Sequence, residues 1–438
     1  MLDSKKNNRS LPPSIWVLSL YFIEGLPFSL VNTVSLALFK TLQISNSQIG
    51  LFTSLFYIPW AIKFLWAPII DIFSTRRKWI IVMQGVLAIL IAILALCIFS
   101  LQPFPILCFV FVLTAFASAT YDIACDGYYL DSLNKAEQSL YIGWRNTAYK
   151  LAWLFASGFL VYLAGLIASQ NWPFPVSSNC AGWGIAFLTA AFLFLCCGIF
   201  HVYALPTQKS ELLSDPLWVS NNKEKNSLIT TSRIAFYSFF QQEHILLILL
   251  WILSFRAGDA MLLKMAQPFL LESKEKGGLG LSLQDVGFIY GSLGMICLLL
   301  GGLIGGWLVF KYGLKKCLLP AAILQSLTLP LYWLLAVSKP DLVYVALANG
   351  FEQFVYGLAT AAYTNYLFTI AKDKFLASHY AIATGFMAIG MILPGAISGY
   401  LVDTFGYKQF FLFSFFASLP GIICTLKLPF TAMTTANN

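Results

Sequence analysis

Charge is scarce in this chain. Asp, Glu, Lys and Arg make up 11% of its 438 residues, less than half of the roughly 25% usual in soluble domains. A water-soluble globular domain is therefore excluded. A nucleic-acid binder is excluded too, because the net charge of +8 lies in short clusters between apolar runs and never forms a basic face. The nine cysteines have no metal-binding spacing. Cys97, Cys125, Cys196, Cys197 and Cys297 fall inside apolar runs, where a thiol packs as a small apolar group. Only Cys180 reads as a loop residue, so no disulfide framework is expected. His201, His244 and His379 are the only histidines; they offer no paired metal spacing and are expected near membrane interfaces. No Gly-Lys-Ser/Thr phosphate loop accompanies the Gly-rich LGGLIGG at 300–306, which suits close helix packing instead. With no catalytic constellation either, an enzyme is not expected, nor is a metal or any other bound cofactor.

What the chain does have is length of apolar run. Hydrophobic residues reach 59% and mean hydropathy +0.76. Runs long enough to cross a bilayer, which takes about 20 residues, lie near 14–39, 47–71, 79–101, 104–131, 139–168, 181–203, 242–271, 282–311, 315–337, 340–371, 377–402 and 408–427. Strand-like alternation does not compete, so a β-barrel is excluded. The expected fold is an all-α membrane protein of twelve transmembrane helices. With the N-terminus on the cytoplasmic side, the loops there carry 17 of the 27 Lys and Arg, the opposite loops five, and the spans five. That bias places both termini in the cytoplasm. Residues 1–13 are short, polar and basic, with no small-residue cleavage site after them, so no removed signal peptide is expected.

The longest polar stretch divides the spans six and six. Three segments follow: an N-terminal six-helix bundle at 1–203, a cytoplasmic linker at 204–241 and a C-terminal six-helix bundle at 242–438. Low-complexity polar sequence predicts partial disorder in the linker, with a short interfacial helix near 233–242. The halves repeat each other. ISNSQIGL at 44–51 and LSLQDVGF at 281–288 are offset by 237 residues, and each places a polar helix cap before a span. Two pseudo-symmetric bundles are the simplest reading.

Ionisable groups inside the spans mark the candidate site. Glu24, Asp122, Asp126, Asp259 and Glu352 stand against Lys63, Arg145, Lys150, Arg256 and Lys264. A charge at mid-bilayer costs about 2.5 kcal/mol or more on insertion scales, so these groups are expected to pair or to share protons along a cavity. Asp122 and Asp126, one helical turn apart, share a face of the fourth span, with Asp126 the preferred proton carrier and Asp122 the second. Lys63 lies too deep to reach an interface and is expected to pair with an acid of another span or to bind an anionic solute. Arg145 is nearer its helix end and is expected to reach the inner surface or to bond a helix end. Lys150, five residues on, faces elsewhere. Glu24-Gly25-Leu26-Pro27 and Arg256-Ala257-Gly258-Asp259 predict interrupted helices at matching places in the two halves, a pattern found at carrier substrate sites. Arg256 and Asp259 are spaced to pair with each other. Glu352-Gln353 opens a polar and aromatic wall with Tyr356 and Tyr363.

The pattern of two six-span halves resembles the major facilitator superfamily. Its loop motif of glycine, acid and flanking basics is matched by Gly306, Lys311, Gly313 and Lys315 in the second half and by Asp71, Arg76 and Arg77 in the first. Gly399, Asp403 and Gly406 form a weaker version at the other face. The resemblance implies that these basics neutralise helix C-termini and hold an inner gate. YFIEGLPFSL at 21–30, YIPWAIKFLWAPIID at 57–71, SATYDIACDGYYLDSL at 118–133 and FEQFVYGLATAAY at 351–363 narrow the likeness to the AmpG-type muropeptide permeases and their relatives. That implies a secondary carrier in the bacterial inner membrane, driven by a proton gradient, that imports muropeptide-like anhydro-sugar peptides. A siderophore, peptide-like or acyl-CoA-type carrier, or a membrane sensor that moves nothing, stays open. The expected partners are a small-molecule substrate and the lipid bilayer, with a monomer sufficient and no nucleic acid.

Overall fold

The computed structural model describes residues 12–67, 70, 74–100, 103–170, 176–206, 234, 236–370 and 376–430. Among these every regular element is helical, as a chain immersed in lipid requires, since no water is present to satisfy an open backbone. Ten helices are long and apolar enough to span a membrane. One of them, Ile382–Lys427, is two spans joined across Gly406, whose φ of 78° breaks the helix. Leu342–Thr369, 28 residues long, is a further span. The chain thus makes the twelve helices that its apolar runs predict.

Five of the helices begin at a side-chain cap that the sequence offers. Ser45 accepts a hydrogen bond from the amide of Gln48, Thr75 from that of Lys78 and Ser177 from that of Cys180. Asn134 with Glu137 and Ser282 with Asp285 form reciprocal capping boxes, each satisfying two amides that the helix start leaves open. Ser45 and Ser282 stand in the repeated octapeptides, so both copies do act as helix starts. Cys180 lies in the first turn of the sixth span, Ser178–Ala204, and is buried, where a loop position was expected.

By packing, the chain forms two units. One comprises residues 1–34 and 62–218, the other 35–61 and 219–438. In the first unit the span Arg76–Phe99 packs on Phe104–Ser132 and on Ser178–Ala204, and helix α1 (Pro13–Ser29) packs on the fifth span. In the second unit the eighth span, Leu283–Tyr312, lies along the tenth, Leu342–Thr369. The LGGLIGG run makes that approach feasible. A Cβ on Gly301 would fall on the carbonyl of Phe354, and one on Gly305 would come 2.6 Å from that of Leu358. Only glycine lets two helices meet so closely. The polar linker lies outside the described residues over 207–233, as do residues 1–11; helix resumes at Phe236.

The second unit also contains α2 (Ser35–Thr41) and α3 (Asn46–Leu55), the end of the first span and the start of the second. The second span was expected as one run over 47–71. Instead it ends an α-helix at Leu55, resumes at α4 (Ile58–Ile62) and tightens to a 3₁₀ turn at Lys63–Leu65. Pro59 provides the reason, because it has no N–H to carry the α3 ladder onward.

Candidate functional site

Five of the ten expected charges lie in the first unit's acid cluster. Lys63 forms an ion pair with Asp122. Arg145 Nη2 lies 2.6 Å from Asp126 Oδ1, and its guanidinium stacks on the rings of Tyr21 and Tyr129, 4.5 and 5.6 Å from their centroids. Tyr21 also donates to Asp126 Oδ1 at 3.2 Å. The one-turn spacing of Asp122 and Asp126 places both carboxylates on one face, as expected, yet each takes a different cation. Lys63 does pair across spans. Arg145 does not reach for the inner surface: two aromatic faces and a carboxylate hold it inside the unit, a favourable setting for a planar cation.

Glu24 completes the cluster and has no cation of its own. It is buried, close enough to Asp122 and Asp126 to act on both electrostatically, and its Oε2 has no hydrogen-bond partner among the described residues. Three acids therefore share two cations. The helix around Glu24 is continuous; its break comes later, as a π-helical turn over Leu30–Val34. Pro27, one turn upstream of this segment, leaves the ladder a bond short. Asn32 Nδ2 takes up the carbonyl of Phe28 at 3.1 Å.

The second unit holds a smaller group. The seventh span is interrupted where the sequence predicts it, at Arg256, which stands between helices Ile245–Phe255 and Ala257–Leu271. Arg256 donates to Thr360 Oγ1 at 2.8 Å and lies over the rings of Tyr356 and Tyr363, 4.7 and 5.0 Å from their centroids. Its Nε is buried and has no partner. Asp259 is close enough to act on Arg256 electrostatically, but they make no ion pair within 4.0 Å among the described residues. The direct pairing that their spacing allows is not formed. Glu352 is buried, accepts from Gln353 Nε2 at 3.0 Å and also neighbours Asp259. Tyr356 and Tyr363 do line this group.

Two expected site residues stand apart. Lys264 donates to the backbone carbonyl of Thr53 at 2.9 Å and belongs to neither acid group. Lys150 lies over the Trp153 ring at 5.0 Å, away from Arg145 as their spacing predicts. Of the loop basics, Arg76 bonds the Gly127 carbonyl at 3.0 Å and Asp131 at 2.5 Å. Arg77 bonds the carbonyls of Val202 and Leu205, where the sixth span ends, and so neutralises a helix C-terminus as expected. Lys311 lies over Trp307 and Tyr312 at 4.7 and 5.3 Å. Lys315 is exposed, and Asp71 lies outside the described residues.

Sequence reasoning missed two kinds of residue. Tyr21 and Tyr129 both hold Arg145, and Tyr21 also bonds Asp126; for Tyr21 the signal was available, since it precedes Glu24 by three residues on the same helix face. Two of the three histidines, His201 and His379, were misplaced. His201 is fully buried, bonding Ser19 Oγ at 2.9 Å and Gln84 Nε2 at 2.7 Å, and His379 is buried against Ser238 Oγ at 2.8 Å. Each found hydroxyl or amide partners from other helices, which a position near a helix end does not reveal.

Known proteins agree with this architecture. A sequence profile of the Major Facilitator Superfamily matches residues 17–347 and 254–435. The chain is 30% identical over 424 residues to the anhydromuropeptide permease of Escherichia coli (strain K12), covering 95% of this chain and 79% of that protein. It is 25% identical over 416 residues to a putative transporter AmpG 4 of Rickettsia conorii, covering 93% and 94%. Among solved structures, a D-xylose-proton symporter superposes with a TM-score of 0.70 at 12% identity over 94% of this chain and 95% of its own. A bacterial homolog of the human lysosomal transporter Spinster also reaches 0.70, at 15% identity over 94% and 95%; these two likenesses concern the fold. The protein is a multi-pass membrane transporter and not an enzyme: it belongs to the major facilitator superfamily and, within it, to the AmpG-type permeases.

Proposed function

We propose that this transporter imports anhydromuropeptide-like solutes across the bacterial inner membrane in symport with protons, both termini lying in the cytoplasm. The observation that carries the coupling is the imbalance in the first unit. Lys63 and Arg145 neutralise Asp122 and Asp126, and Glu24 is left as a third, buried acid within electrostatic reach of both. A site of this kind holds one proton without stranding a charge in lipid. Glu24 thus replaces Asp126 as the proton carrier, because Asp126 is committed to Arg145 and Tyr21. Opening the site to water on one side and then the other lets that proton exchange with alternate compartments, which couples its movement to that of a solute.

The substrate class rests on the relatives, one of which is named as an anhydromuropeptide permease, and on the chemistry of the second unit. Arg256 has no carboxylate in ion-pair contact and keeps one buried N–H unpartnered, so a peptide carboxylate is a fitting ligand. Tyr356 beside it presents a ring suited to an apolar sugar face. In proteoliposomes carrying the purified protein, labelled anhydromuropeptide should enter, and an inward proton gradient should drive accumulation above the external concentration. No entry above empty liposomes would remove the substrate. Entry that ignores uncouplers would remove the coupling.

A further inference from the structure

We infer that Gln84 and His201 are positioning residues for the acid cluster: with Ser19 and Tyr121 they form one hydrogen-bonded clamp across four spans of the first unit, which sets the rotation of the fourth. Gln84 stands on the third span, Arg76–Phe99, Tyr121 on the fourth, Phe104–Ser132, His201 on the sixth, Ser178–Ala204, and Ser19 on α1. Gln84, Tyr121 and His201 are fully buried. No ion pair of the acid cluster uses any of the four. Polar groups are costly to bury unless they are bonded, and here they are bonded to each other.

The bonds run in one direction. Gln84 Nε2 lies 2.7 Å from Tyr121 OH and 2.7 Å from His201 Nδ1. An amide nitrogen only donates, so both of its hydrogens are used and His201 Nδ1 accepts. The ring is therefore neutral, carries its proton on Nε2 and donates to Ser19 Oγ at 2.9 Å. Ser19 in turn donates to the carbonyl of Ile15 at 3.0 Å, so the chain ends on the backbone of α1. Gln84 Oε1 is buried and has no partner among the described residues. A network that leaves one of its own groups unsatisfied is a poor source of stability. What it supplies is direction.

Tyr121 precedes Asp122, and successive side chains on an α-helix stand about 100° apart. Holding the tyrosine hydroxyl thus fixes where the next carboxylate points. Apolar packing of the fourth span cannot do this alone. Buried side chains such as Leu107, Ala115 and Ala124 are drawn inward by a force without direction and tolerate a small turn of the helix, whereas a hydrogen bond weakens steeply once its angle is lost. Lys63 and Trp66 hold the same helix from the second span, through Asp122 and through Thr120 Oγ1 at 3.1 Å. Gln84 holds it from the third. Ser19 lies five residues before Glu24 on α1, so the same chain of bonds ties down the helix that carries the third acid. The bearing of the clamp on transport rests on the proton site proposed above; its test does not.

A double-mutant cycle on thermal unfolding of the full chain in detergent tests this and needs no solute, so its failure is separable from failure of the proposed transport. The coupling between Lys63→Met and Asp122→Asn is measured in the wild type and again with Tyr121→Phe, which removes only the hydroxyl; it should fall to about half or less. Two histidine variants separate direction from bulk. In His201→Asn the side-chain oxygen takes the place of Nδ1 and still accepts from Gln84, so the coupling should stay close to wild type. In His201→Gln the amide takes the place of Nε2 instead, and the coupling should fall as it does in Tyr121→Phe. Nitrogen-15 spectra of histidine-labelled protein, with His201 identified by its loss in His201→Asn, should show a neutral ring protonated at Nε2. A lower melting temperature in Tyr121→Phe with the coupling unchanged would make the clamp a merely structural bond and overturn its positioning role. So would the absence of Lys63–Asp122 coupling in every background, equal coupling in the two histidine variants, or a ring protonated at Nδ1. If Tyr121→Phe does not fold, the histidine pair decides.

Discussion

Asp122 is ion-paired with Lys63, and the buried carboxyl of Glu24 lies close enough to Asp122 to act on it electrostatically. This arrangement orders the chemistry of the first unit. An acid whose counter-cation is already shared can change its proton occupancy without leaving a cation unpaired. Asp122 and Asp126 cannot do so, because losing either charge strands Lys63 or Arg145 in low dielectric.

The Lys63–Asp122 pair therefore has a testable asymmetry. Lys63→Met should destabilise the protein in detergent and reduce uptake by roughly tenfold, about 1.4 kcal/mol in the barrier, because it leaves Asp122 without its cation. Lys63→Met combined with Asp122→Asn should recover much of the lost melting temperature. Equal melting temperatures for the single and double variants would show that the pair does not carry that load.

Arg256 is held by two ring faces and one hydroxyl. Arg256→Lys keeps the charge and loses the planar stack and fork. Uptake kinetics should show KM raised about tenfold with the maximal rate nearly kept, since one tenfold step corresponds to about 1.4 kcal/mol of binding. A fall in maximal rate with KM unchanged would place Arg256 outside solute binding.

The eighth and tenth spans should be sensitive to volume at Gly301 and indifferent at Gly302. A Cβ at Gly301 meets backbone, whereas at Gly302 the nearest atom is the Gly357 carbonyl at 3.9 Å. Overpacking of this kind costs about 1–3 kcal/mol. Thermal unfolding in detergent should show Gly301→Val clearly destabilised and Gly302→Ala close to wild type.

The long-range order of this molecule was legible because the bilayer imposes it. Twelve apolar runs, the caps at Ser45 and Ser282 and the break at Arg256 all follow from local sequence. The charged residues named their neighbourhood, but not their partners. Lys63 could be assigned an acid in another span, yet nothing local distinguishes Asp122 from Asp126. Arg145 was misread because distance from a helix end says nothing about two tyrosines on other helices. His201 and His379 were misread for the same reason. Lys40 and Glu272 drew no reading from the sequence, because the Lys40–Glu272 and Asn46–Asp403 contacts join residues more than 200 positions apart. Glu24 was visible as an intramembrane acid, but its role depends on counting which cations its neighbours have already taken.

The central claim is that Glu24 carries the coupling proton, and the measurement closest to it compares two modes of transport in Glu24→Gln proteoliposomes. Accumulation of anhydromuropeptide driven by an imposed proton gradient should disappear, while exchange of labelled for unlabelled solute at equal pH should continue at a rate within a few fold of wild type. Gradient-driven accumulation that survives in Glu24→Gln would contradict the account.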